Sequence, residues 1–317
     1  MNRDRPLLAA LALLSAAATA QQIALMQVLG WMHWHHFAYM VVALALLGLG
    51  VAGTTLSIAR DRLLKHWRTW LSWLAVAMAV TIPVGLGIAH LDPLFVDLPL
   101  VFFDPRANVW RLVVLCLLLL PPFFCCGLAT GLILTARARE AGRFYAASLA
   151  GAGLGGLLGL AMVASIEPPR LPAAVAVLAL CSAFCLWQES PGRLRTAAVG
   201  VLFLIGLAWI FPGELKPSQF KPLHRTLELP EAHIVAARTG VHGWVQVVTA
   251  PALRPAPAVS LNFTGEVPAQ PAVFVNGLGY GSLLDESSVK EPRWLEFTTD
   301  AGAFMASEPE NVLLIEN

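Results

Sequence analysis

Seven runs of apolar residues, each nearly free of charge, leave this chain few folds to choose from. They cover about 6–30, 37–59, 69–90, 108–136, 144–166, 171–187 and 196–212. Each is near or above the ~20 residues that a helix needs to cross a hydrocarbon core, the sixth being the shortest. A segment in lipid must satisfy its backbone groups internally, so such runs fold as helices. The chain has 317 residues, 57% of them hydrophobic and only 13% charged, which excludes an ordinary water-soluble globule. A net charge of +1, with no basic patch interleaved with aromatics, excludes a dedicated nucleic-acid binder. The sequence predicts a polytopic α-helical bundle of about seven spans over residues 1–212, with the lipid bilayer as its first partner.

Two segments bear on the span count. Arg3 and Arg5, an apolar run and Ala18-Thr19-Ala20 have the shape of a cleavable signal peptide. Apolar sequence resumes at Ile23 and ends at Trp31, too short to span alone, which favours a retained first helix. Phe95–Phe103, broken by Pro99, is a short apolar stretch that would change the count if it crossed. Orientation follows the basic residues. Arg3 and Arg5, then Arg60, Arg62, Lys65 and Arg68, then Arg137, Arg139 and Arg143, then Arg193 and Arg195 fall on alternate loops. The opposite side holds Arg106, Arg111 and Arg170. The richer side is expected in the cytoplasm, of a bacterial inner membrane, and the residues after Pro212 outside it.

Small residues mark where helices should meet. Ala147, Gly151, Gly155 and Gly159 recur every four residues, with Ser148, Ala152 and Gly156 as a second row beside them. In lipid, helices associate where small side chains let backbones approach. Gly127 and Gly131 on the preceding span are expected to answer this row, making a tight pair joined by a short basic loop. The spans hold no Asp, Glu, Lys or Arg at depth, which disfavours a proton-coupled pump or cation carrier. Gln21 and Gln22 are the most polar residues near mid-span, and either line a site or bond across helices. The five cysteines sit in apolar runs and read as small buried groups. His33, His35 and His36, in Trp31–His36, are metal or haem candidates by chemistry. Their place at a membrane edge, beside Trp31 and Trp34, fits interfacial anchoring better, so no metal site is assigned.

After Pro212 the composition turns to proline, glycine and charge, and the hydrophobic pattern shortens to strand lengths. His233–Arg238 and Trp244–Ala250 read as a hairpin around Thr239–Gly243. Val259–Phe263 and Ala272–Asn276 are further strand candidates, and 294–306 has helical spacing with Trp294, Phe297 and Ala301 on one face. Asn311–Ile315 is a continuous apolar run, the pattern of a buried parallel strand. A strand-rich module over 213–310 and one strand of a Rossmann-like domain over 311–317 follow. That strand needs flanking strands, so a missing C-terminal domain or a protein partner is expected to cover Val312–Ile315.

The order of a basic loop, RFYAASLAGAGLGGLLG, further spans and a module leading to PENVLLIEN resembles the membrane-fused spermidine synthase-like proteins. In these a multi-span domain precedes an aminopropyltransferase-type domain. The family pattern L-x-L-D-G-x-x-Q-x-S-x-x-D-E keeps its spacing over residues 274–286, with Gly277, Ser282, Asp285 and Glu286 matching. Asn276 stands where the family has Asp, and Tyr280 where it has Gln. The family's Tyr-His-Glu falls at Trp294-Leu295-Glu296, leaving Glu296 alone. The family's upstream glutamine falls at Trp244 or Gln246, according to register. The resemblance implies an S-adenosylmethionine-type nucleoside as cofactor and Asp285, Glu286 and Glu296 as catalytic candidates. A diamine needs carboxylates for its ammonium groups and a base to free one nitrogen, so losing Tyr and His argues against polyamine synthesis. The family's nucleoside-binding, glycine-rich turn would follow the VLLIEN strand. Gly277–Gly281 is no substitute and reads as a turn, so this chain is expected to hold no cofactor and not to be catalytic alone. The alternative is a membrane subunit or small-molecule carrier that acts through its bundle and docks a partner on its soluble module.

Overall fold

Proline, glycine and charge decide where the apolar runs become separate helices. The computed structural model describes residues 4–91, 93–187, 190–213, 215–256, 258–283, 293–299 and 301–302. Helix α1 (Arg5–Met32) starts behind Asp4, with a proline in the first turn, where the missing N–H has no helical partner to lose. It runs unbroken through Ala18–Ala20. Then come α2 (Phe37–Ile58), the short basic α3 (Arg60–Lys65), α4 (Trp67–Ala89) and α5 (Leu98–Phe103). With six residues α5 is too short to cross a bilayer, so the segment around Phe95–Phe103 adds no span. The fourth apolar run divides at Leu120-Pro121 into α6 (Pro105–Leu119) and α7 (Pro121–Ala136). Pro121 lacks the N–H that would continue the ladder. Asp104 caps α6 by accepting a hydrogen bond from Ala107 N at 3.3 Å. Helices α8 (Ala141–Ser165), α9 (Leu171–Cys185) and α10 (Gly192–Ile210) complete the set. Seven helices among the described residues are long and apolar enough to cross a membrane, Pro105–Ala136 counting as one.

Burial sorts these helices into a centre and a rim. Leu7, Leu11, Leu14 and Leu25 on α1, Leu71 and Met78 on α4, and Val175 and Leu180 on α9 are at most 1% exposed. On α2, α8 and α10 large apolar side chains face outward: Leu46 is 66% exposed, Leu157 68% and Phe203 72%. Water would tolerate such a surface poorly, whereas a hydrocarbon surround matches it. The bundle fits an integral membrane protein.

The described residues form two compact units, one on Met1–Ser218 with Thr239–Trp244 and one on Gln219–Arg238 with Val245–Asn317. The short helix α11 (Pro222–Leu227) belongs to the second. Four strands, β1 (His233–Gly240), β2 (Gly243–Thr249), β3 (Ala272–Val275) and β4 (Leu278–Ser282), lie in that order in one sheet. Strands β2 and β3 pair antiparallel with Gln246 opposite Phe274 and Val248 opposite Ala272, and these four residues are buried. The alternation is that of a sheet with one covered face.

Three expectations for this module change. Gly277–Gly281 is not all turn: the chain reverses at Asn276-Gly277, and Gly279 and Gly281 lie in β4. Positive φ at both residues, 51° and 75°, is the mirror-image turn that suits the twist of a two-residue hairpin. Val259–Phe263 is not a strand, since Val259 makes only an isolated bridge to Thr298. Ser260 instead turns the chain, with its Oγ accepting from Asn262 N and its carbonyl from Phe263 N. Of the helical spacing over 294–306, Arg293–Phe297 forms a 3-10 turn that ends where Thr298 and Thr299 pair with Val259 and Ala258, residues 301–302 are helical, and 300 and 303–306 lie outside the described residues. The strand expected at 311–317, and the Rossmann-like domain it would open, lie outside the described residues.

Candidate functional site

Residues 274–282, which include Gly277 and Ser282, sit on the β3–β4 hairpin. Gly277 is the second residue of its turn and Ser282 the last of β4, paired with Ala272. Phe274 pairs with Gly279 and Val273 with Gly281, so Tyr280 is the extra residue of a β-bulge. Bulges bend a strand and re-aim one side chain, and Tyr280 is 76% exposed. Asn276 meets the demand for positive φ, as Asp would. Of the three carboxylate candidates, Glu296 lies on the exposed side of the Arg293–Phe297 turn, whose buried residue is Trp294. Asp285 and Glu286 lie outside the described residues. Of the two positions for the family's upstream glutamine, Gln246 is buried on β2 and Trp244 is half-buried.

A residue that the sequence did not mark holds this turn in place. Lys221 is 1% exposed and donates from Nζ to Asn276 O at 2.6 Å. Two residues on, Leu223 N donates to Gly277 O at 3.3 Å. The segment that starts α11 therefore ties both turn carbonyls. Burial pushes the Lys221 ammonium down to about 7. Nothing in the local sequence distinguishes this lysine from a surface one, since the hairpin it reaches lies 55 residues away.

The histidines do not converge. His33 is 2% exposed and packs against the rings of Phe37 and Phe95, with centroids 4.6 and 5.1 Å away. His35 and His36 are exposed, their rings tilted against each other with centroids 3.9 Å apart. No group of three or more His, Cys, Asp or Glu suited to a metal occurs among the described residues.

The glycine rows belong to two seams rather than one. A Cβ on Gly151 would stand 2.6 Å from Ala12 Cα, on Gly155 2.5 Å from Ala16 Cα, and on Gly159 3.0 Å from Ala20 Cα. The row therefore packs on α1, with both sequences advancing together, so α1 and α8 run parallel. Ser15 and Ser148 share a hydrogen bond of 2.8 Å across the same seam. Gly127 faces Leu49 and Ala52, and Gly131 faces Leu56, all on α2. The expected pairing of the 127/131 row with the 151/155/159 row is thus incorrect. Each row has a different partner, and α7 and α8 touch only slightly. The signal for α1 was present as Ala12, Ala16 and Ala20, another row at four-residue spacing.

Between the two seams, α1, α2, α7 and α8 enclose a cleft of about 450 Å³. Gln22 lines it, while Gln21 is buried at 2% exposure with its Oε1 unpartnered in the structure. A smaller cavity of about 220 Å³ lies at the end of α4 beside His90. The Nδ1 of that imidazole is 2.7 Å from Leu86 O. No protein-family model, curated protein or solved structure matches the chain.

Proposed function

We propose that this protein is a membrane-embedded relative of the spermidine synthase-like transferases, in which a seven-span bundle holds the strand-rich module at a bacterial inner membrane. The residues described here anchor and position. In this reading the nucleoside site lies outside the described residues. The single observation that supports this reading is how residues 274–282 of that pattern fall on the hairpin. Its matched Gly277 takes the turn position that needs positive φ, and its matched Ser282 ends the following strand. The basic loops at Arg60–Arg68 and Arg137–Arg143 face the cytoplasm in this proposal, and an odd number of spans then puts the module on the other side.

The test is nucleoside binding by the protein as isolated from its own membrane, with whatever chain length and companions it has there. Equilibrium dialysis against S-adenosylmethionine is expected to show saturable binding by that assembly. It should show none by residues 1–317 expressed alone. No binding by the native assembly would overturn the transferase reading.

A further inference from the structure

The cleft between the two seams has chemistry of its own, independent of the transferase proposal. Its polar lining is Ser15, Thr19 and Gln22 from α1, Cys126 and Thr130 from α7, and Ser148 from α8. Ser15, Thr19 and Gln22 lie well inside α1, and Ser148 is the eighth of the 25 residues of α8. Much of this polarity is already used. Thr19 donates to Ser15 O at 3.2 Å, Thr130 donates to Cys126 O at 2.9 Å, and the two serines bond each other. Ser15 also bonds the Cys126 side chain, so what remains is chiefly lone pairs on the threonines and the amide of Gln22. No Asp, Glu, Lys, Arg or His lines the cleft, so nothing there would compensate a buried charge. Its volume falls in the range of small-molecule sites.

The way in is sideways. Leu49 and Gly53 line the cleft and are also exposed on α2, on the apolar exterior that includes Leu46 and Leu47. An occupant entering there comes from the hydrocarbon. We propose that this cleft binds an uncharged bilayer lipid with a hydroxyl- or carbonyl-bearing end, its polar end on the Gln22 amide and its chain leaving past Leu49. Prenyl alcohols, quinones and diacylglycerols share this chemistry.

The experiment is photo-cross-linking of the full chain in vesicles with a diazirine-tagged prenyl alcohol, the labelled peptides being mapped by mass spectrometry. Labelling is expected on α1 and α7 around Gln22 and Thr130, and Gln22→Leu should reduce it by about tenfold, the effect of one buried hydrogen bond. Gly53→Leu should block it as well. A Cβ at Gly53 meets nothing within 4 Å, so this variant is expected to fold while obstructing the mouth. Competition by untagged quinone or diacylglycerol identifies the source of the ligand. Labelling spread over the outer faces of α8 and α10 would overturn the site. So would labelling that both variants leave unchanged, or equal labelling by a tagged anionic phospholipid.

Discussion

Gly155 and Gly153 stand two residues apart on α8 and have opposite surroundings. A Cβ at Gly155 would collide with the backbone of Ala16, while one at Gly153 meets nothing within 4 Å. Backbone cannot rotate away as a side chain can, so Gly155→Ala forces α1 and α8 apart. It should cost about 1–3 kcal/mol, in the range of overpacked cores. Thermal unfolding in detergent should show a lowered midpoint for Gly155→Ala and an unchanged one for Gly153→Ala. Lys221 makes the second prediction at this scale. Its pKa in the fold is about 7, below its ordinary 10.5. Between those values the unfolded chain binds the proton and the folded one does not. Stability of the module therefore rises as pH increases from about 7 towards 10, by on the order of 1 kcal/mol per unit. Below pH 7 both states are protonated and the rise ends. Protease resistance of the hairpin on heating should follow that slope, and Lys221→Met should flatten it.

Elements differ in how openly their residues announce them. The membrane helices were legible because bilayer thickness sets their length, and the observed spans follow the apolar runs closely. The β1–β2 hairpin was legible from its two β-rich runs and the glycines between them. Strand β4 was not, because Gly279, Tyr280 and Gly281 offer no apolar alternation and a bulge interrupts the register. Its turn carries a prediction. Gly277 has φ of 75°, so Gly277→Val should cost about 1–2 kcal/mol, the penalty of a left-handed residue with a side chain. Asn276→Asp keeps a residue that tolerates φ of 51° and should stay within about 0.5 kcal/mol of the parent. Hydrogen exchange of the hairpin amides would separate the two. The seams were legible only as faces. A row of small residues says that a backbone comes close and does not say whose. Rows on α1, α7 and α8 satisfy the same rule, and chain neighbourhood suggested α7 with α8 where packing joins the first and fifth spans.

At the scale of the whole molecule, that joining is what closes the bundle. Asp4 at the start of α1 pairs with Arg137 at 2.5 Å, and Arg137 also reaches Glu140 at 3.0 Å just before α8. The charges in front of the two parallel helices therefore meet at one end, and the Ala/Gly seam continues from there. Such a connection spans 133 residues and cannot be read from local sequence. The most direct test is disulfide trapping in membranes, in a background with the five native cysteines replaced. Ser15→Cys with Ser148→Cys should cross-link readily, because those side chains touch across the α1–α8 seam. Gly131→Cys with Ala147→Cys, a contact suggested by chain neighbourhood at positions that tolerate a side chain, should not. Efficient trapping of the second pair without the first would contradict the account.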